Sequence, residues 1–193
     1  MNICVFGAAS EKVDKKYITA VEEMGIEMGQ RGHNLVFGAG ANGLMGAAAK
    51  GVHTGGGKVT GVIPKFFRDE TIEAIYDKCD KIIYTETMQE RKKTMEDLSD
   101  AFIIVPGGIG TLEEFYEVLT AKQLCRHSKP IALYNIDDYF QKLEEFMFHC
   151  TSEKFIKAAV RRLYFYFSDI EEMLSYIEED PGVAGDVHTY KNG

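Results

Sequence analysis

Short β-rich apolar runs alternate with segments of helical period from one end of this chain to the other. The runs are NICVFG, HNLVFG, KVTGVIP, KIIYTE, AFIIVP, KPIALYN and LYFYF. Such alternation predicts an α/β fold, a parallel β-sheet flanked by helices on both faces. Between the first two runs, Tyr17, Val21, Met24 and Met28 recur at helical spacing, and Arg31 followed by Gly32 supplies the helix end. Gly25 and Gly29 on that helix predict close packing, at some cost in helix propensity.

Later helices are announced by a Ser or Thr followed three residues on by Glu: Thr87 with Glu90, Thr111 with Glu114, Ser168 with Glu171. Each is expected to be a capping box. The final stretch, PGVAGDVHTYKNG, loses periodicity and is expected to be a mobile tail, 181–193, behind a single domain at 1–180. No internal repeat or linker interrupts that domain.

In a sheet of this kind ligands bind outside the carboxyl ends of the strands. Four segments there are unusual: GAAS at 7–10, GAGANGLMG at 38–46, KFFRDE at 65–70 and PGGIGT at 106–111. Gly38, Gly40 and Gly43 spell G-x-G-x-x-G. The dinucleotide fingerprint, however, normally sits in the first β-α unit and is followed about 20 residues on by an acid at a strand end. Here it lies in the second unit and the next strand ends VTGVIPKF, so no nicotinamide or flavin cofactor is expected. Tight helix-sheet packing and a backbone surface close to a ligand both remain open for these glycines.

PGGIGTLEE is the sharper signal. Gly107, Gly108 and Gly110 let main-chain N–H groups approach a ligand, and the helix starting near Thr111 adds unsatisfied donors and a positive dipole end. That combination suits a phosphate. The G-x-x-x-x-G-K-[ST] spacing is absent, which excludes a nucleoside triphosphatase loop and favours a monophosphate. Glu114 has two open roles, capping the helix or acting on a ligand one turn from the phosphate, because Leu112, Phe115 and Leu119 already define a separate core face. In TMQERKKTMEDL, Met88, Met95 and Leu98 form an apolar stripe that Arg91 interrupts. An Arg there must snorkel to water or find an anion.

Bulk composition narrows the classes. The 193 residues, 45% hydrophobic and 27% charged, fit one well-buried globular domain and exclude disordered and membrane classes. Lys+Arg 22 against Asp+Glu 30, a net charge of −8, argues against a nucleic-acid partner. Cys4, Cys79, Cys125 and Cys150 form no C-x-x-C, and nothing ahead of the first apolar run could serve as a secretion signal. Reduced thiols and a cytoplasmic location are expected. The histidines and cysteines form no ligand cluster, so no metal site is expected. No apolar run is long enough to cross a bilayer.

PGGIGTLEE at 106–114, Met88-x-x-Arg91-Lys92, GLMG at 43–46 and GVIP at 61–64 together resemble the LONELY GUY (LOG) family of cytokinin riboside 5'-monophosphate phosphoribohydrolases, many formerly labelled lysine decarboxylases. The resemblance runs from Cys4 to about Tyr139. It implies a modified Rossmann-like three-layer fold, a homodimer, and hydrolysis of the N-glycosidic bond of an adenine-type nucleoside 5'-monophosphate; no cofactor is expected. It also implies Arg91 and Glu114 as the catalytic pair, Gly107 to Thr111 as the phosphate loop, and Glu70 and Lys92 as further substrate contacts. Ser10, Gly40 and Gly43 complete the expected substrate-binding set. Two departures stand out: Ala8-Ala9-Ser10 where members commonly have G-S-S, and Gly38-Ala39-Gly40 where they have G-G-G. The rival expectation is a nucleotide-binding carrier or sensor on the same scaffold without turnover.

Overall fold

Continuous apolar runs become the inner strands, covered on both faces, which is why the chain shows so little strict alternation in them. In the computed structural model, which describes residues 1–69, 74–182 and 185–191, the strands are β1 (Asn2–Phe6), β2 (Asn34–Phe37), β3 (Val59–Pro64), β4 (Lys81–Thr85), β5 (Ala101–Ile104), β6 (Ile131–Tyr134) and β7 (Phe165–Phe167). They form one sheet in the order β4-β3-β2-β1-β5-β6-β7, every pair parallel. Each expected run supplies one strand.

The helices are α1 (Lys15–Gln30), α2 (Gly43–Thr54), α3 (Lys65–Asp69), α4 (Met88–Leu98), α5 (Ile109–Gln123), α6 (Gln141–Ser152), α7 (Ile170–Glu179) and α8 (Val187–Tyr190). Strand pleating divides the core in two. Ile3 and Val5 of β1 pack with Val21, Met24 and Met28 of α1, Val52 of α2 and Ile177 of α7. Cys4 and Phe6 pack on the other face with Met95 of α4, Phe115 of α5 and Met147 of α6. The third layer predicted by the sequence is therefore present.

The glycines of α1 do what their spacing suggested. A Cβ at Gly25 would fall 2.7 Å from the Ala48 carbonyl oxygen of α2, and the facing Gly51 would clash at 2.2 Å with the Glu22 oxygen. Backbone meets backbone along this helix pair, and α2 is thereby held under the ligand edge.

Two of the three expected capping boxes are displaced. Thr87 does cap α4, its Oγ1 accepting from the Glu90 amide at 3.1 Å. At the next helix, α5 begins two residues before Thr111 with side-chain-free Gly108 at its cap position, so Thr111 is buried in the first turn and Glu114 caps nothing. At α7 the cap is Asp169 and not Ser168; its carboxylate accepts from the Glu172 amide at 2.9 Å. An aspartate next to a serine wins because its charge also complements the helix N-terminus.

The expected tail is packed over 185–191. Asp186 and Thr189 form a capping box around α8, and Tyr190 is buried at 3% exposure among residues of the second core face. Its carbonyl accepts from Gln123 Nε2 at 2.9 Å. One turn of helix is too short to register as periodicity, but one buried ring suffices to anchor it.

Candidate active site

β1 pairs with β2 on one side and β5 on the other, so the order in which strands are added reverses at β1 and the loops after β1 and β5 diverge over a crevice. Backbone bonds knit three loops there. The Ala8 amide donates to the Pro106 carbonyl at 3.1 Å, and the Leu44 amide donates to the Ala8 carbonyl at 2.8 Å. Gly43 makes the second contact possible: it has φ 57, and a Cβ would lie 2.6 Å from the Ser10 carbonyl oxygen.

The crevice opens into a cavity of about 320 Å³ lined by Ser10, Gly38, Gly40, Arg91, Gly108, Gly110, Thr111 and Glu114, with Met45 and Met95 as its apolar wall. Four well-separated segments of the chain thus converge on one space. In α5 the first intrahelical bond runs from the Leu112 amide to the Gly108 carbonyl at 3.0 Å. The amides of Ile109, Gly110 and Thr111 ahead of it have no intrahelical acceptor, and Gly108 offers no side chain to cap them. Gly108 and Gly110 are exposed. Free donors and the positive dipole end together suit an anion.

Arg91 does not snorkel to water. Its Nε donates to the Val62 carbonyl at 3.2 Å, Nη2 to the Gly38 carbonyl at 3.5 Å and Nη1 to the Met88 sulfur at 3.9 Å, while the guanidinium lies 5.7 Å from the centre of the Phe67 ring. These contacts fix its plane and leave further N–H groups of the fork for an anion.

Glu114 projects into the same cavity. Burial is the main cause that pushes its carboxyl up to about 7, against the pull of the nearby Arg91 charge. Desolvation outweighs attraction here. A carboxyl that titrates near neutrality inside a cleft is suited to exchanging a proton with a ligand or to facing a developing positive charge. Its neighbour Glu113 does neither: it accepts from Lys92 Nζ at 2.5 Å.

The expected site residues separate on this basis. Arg91, Glu114, Ser10, Gly40, Gly108, Gly110 and Thr111 share the cavity. Gly107 is buried beside it and lines an adjoining cleft with Pro106 and Tyr139. Gly43 lies beneath the first loop. Lys92 turns away to Glu113 and to Glu117, the latter at 2.8 Å, tying α4 to α5. Glu70 lies outside the described residues.

The first-loop departure leaves Ser10 on the cavity wall, where its Oγ accepts from the Lys12 amide at 3.2 Å. The second departure places Ala39 at φ 64, a left-handed position that L side chains seldom take. Sequence reasoning missed Gly38 as the seat of the Arg91 guanidinium and Met45 and Met95 as its wall. Gly38 stood within a recognisable motif, but nothing along the chain linked it to an arginine 53 positions away. Among the described residues no group of His, Cys, Asp and Glu could hold a metal ion, and no helix is long and apolar enough to cross a membrane.

Comparison with known proteins adds four findings. The family described as "possible lysine decarboxylase" matches residues 45–177. A probable cytokinin riboside 5'-monophosphate phosphoribohydrolase of Oryza sativa subsp. japonica, LOGL5, is 37% identical over 92% of this chain and 71% of its own length. The cytokinin riboside 5'-monophosphate phosphoribohydrolase LOG3 of Arabidopsis thaliana is 38% identical over 92% of this chain and 81% of its own. Among solved structures, the molybdenum cofactor carrier protein of Chlamydomonas reinhardtii aligns with TM-score 0.70 at 24% identity, over 92% of this chain and 96% of that one. At that identity the likeness speaks for the fold alone.

Proposed function

This chain belongs to the LOG family of cytokinin riboside 5'-monophosphate phosphoribohydrolases, and from that membership we propose that it cleaves the N-glycosidic bond of adenine-type nucleoside 5'-monophosphates, AMP or a cytokinin riboside 5'-monophosphate. The products are free base and ribose 5-phosphate. The observation that carries the proposal is the meeting, in one cavity, of an uncapped helix N-terminus, an anchored arginine and a carboxyl titrating near neutrality.

The 5'-phosphate sits against the amides from Gly108 to Thr111. The C1'–N bond breaks with its electrons going to the base, and the ribose passes through an oxocarbenium-like state. Glu114, as carboxylate, faces that positive charge and orients a water whose oxygen bonds C1'. The water's proton leaves for the base. Arg91 positions Glu114 and the ribosyl group, and phosphate binding remote from the scissile bond supplies orientation.

A carrier without turnover would use the glycine loop but has no need of Arg91 and Glu114 facing one space. The exposed rings of Phe146, Phe148 and Phe165 supply apolar surface for the homodimer expected of the family, and the four unpaired thiols support a cytoplasmic setting.

The test is a panel of nucleotides and matching nucleosides, assayed by chromatography for free base. Release from monophosphates and little from unphosphorylated nucleosides is expected. Tight nucleotide binding with no base released over long incubation would favour the carrier, and equal hydrolysis of both classes would overturn the phosphate loop.

A further inference from the structure

The phosphate loop is steered from behind by a side chain outside the main cavity. After β6 the chain makes a short 3-10 turn at Ile136–Asp138 and delivers Tyr139, whose hydroxyl donates to the Gly107 carbonyl at 2.7 Å. In a trans peptide the carbonyl oxygen and the following amide hydrogen point to opposite sides. Tyr139 lines the adjoining cleft with Val13, Tyr17, Leu44 and Pro106 and does not line the main cavity. With the Gly107 oxygen drawn towards Tyr139, the Gly108 amide is turned the opposite way, and Gly108 lines the space shared by Arg91 and Glu114 as well as the adjoining cleft.

We propose that Tyr139 is a positioning residue for the phosphate loop, setting the direction in which the Gly108 N–H meets the anionic end of the substrate. The identity of that anion as a 5'-phosphate rests on the function proposed above.

The surroundings of Tyr139 are built to hold it. Its ring meets Tyr17 edge-on, centres 5.9 Å apart at 77°, and Phe140 at 5.1 Å and 87°. The turn that delivers it carries two successive non-glycine residues at positive φ, Asp137 at 52° and Asp138 at 56°. Such strain persists only where the surroundings over-determine it. Here the Phe140 amide donates to Asn135 Oδ1 at 2.7 Å, and Lys16 of α1 pairs with Asp137. A free tyrosine hydroxyl rotates among partners; this one is presented to a single carbonyl by a fixed ring.

The experiment compares wild type with Tyr139→Phe, which keeps the ring packing and removes only the hydroxyl. Two quantities are read: steady-state KM and kcat for AMP and isopentenyl-AMP, and the calorimetric affinity for ribose 5-phosphate. The expected result is a KM raised about three- to tenfold, ribose 5-phosphate affinity weakened by the same factor, and kcat at saturation altered much less. Unchanged KM and affinity in the folded variant would overturn the proposal. So would a fall in kcat alone, which marks a general loosening. If wild type releases no base from any nucleotide, the hydrolase function fails on its own, and the ribose 5-phosphate affinities of the two proteins still decide the role of Tyr139.

Discussion

A Cβ built on Gly38 lies 1.8 Å from Nη2 of Arg91. The guanidinium of α4 therefore occupies the space where any other residue at position 38 would carry its side chain, and it bonds the carbonyl of the same glycine. Gly38→Ala is expected to push Arg91 out of its seat. Because the clashing atom ends a flexible side chain, the protein should fold with a loss of no more than about 1–2 kcal/mol. A displaced arginine no longer orients the reacting groups, and kcat/KM should fall about 100-fold. Thermal unfolding and base release measured on the same preparation check both halves. Full activity in Gly38→Ala would show that Arg91 does not need this seat.

Adjacent residues of α4 should behave very differently. Lys92 is held by Glu113 and Glu117, whose side chains are half exposed, and such pairs stabilise by about 0.5–1 kcal/mol. Lys92→Met should lower stability by that much and kcat/KM by less than about threefold, while Arg91→Met costs about 100-fold or more. A large activity loss in Lys92→Met with normal stability would restore it as a direct substrate contact.

Activity should depend on pH through Glu114. Burial raises this carboxyl to about 7, and the Arg91 and Lys92 charges each pull the other way. In the proposed mechanism the carboxylate is the working form, so kcat/KM should rise through an acid limb near pH 7 and level above it. Removing either cation removes a stabiliser of the carboxylate, so the limb should move to higher pH in Arg91→Met and Lys92→Met. A limb near pH 4.5 that neither substitution moves would mean that burial does not tune the group on which activity depends.

How much of this could be read along the chain follows from the range of the interactions involved. The strands were legible because a strand buried on both faces writes itself as consecutive apolar residues, as in AFIIVP. The glycine loop ahead of α5 was legible because an uncapped helix start needs local backbone freedom, and Gly107, Gly108 and Gly110 supply it within four positions. Helix starts were less so: Thr111 three residues before Glu114 satisfies a capping pattern, but Gly108 begins the helix earlier and leaves its donors free. Lys92 shows the limit of a motif, since its neighbour Arg91 turns inward while it pairs across to α5. The contacts of Gly38 with Arg91 and of Gly107 with Tyr139 were not legible at all. Each joins a backbone atom to a side chain 53 or 32 positions away, and only the topology brings them together.

The same burial that tunes Glu114 should lower the stability of the fold above neutrality. Its native carboxyl titrates near 7, against about 4.5 in an unfolded chain. Between those values the native state holds the proton that the unfolded state has lost, so stability falls as pH rises. The contribution is present in full below pH 4.5 and gone above pH 7. Glu114→Gln carries no such titration. Its stability relative to wild type should therefore increase by about 2 kcal/mol between pH 5 and pH 8, even as base release falls about 100-fold or more. Urea unfolding of both proteins at the two pH values measures the difference directly. A Gln variant that tracks wild type at both would show that Glu114 ionises as a solvated carboxylate. The acid limb of the activity would then belong to another group.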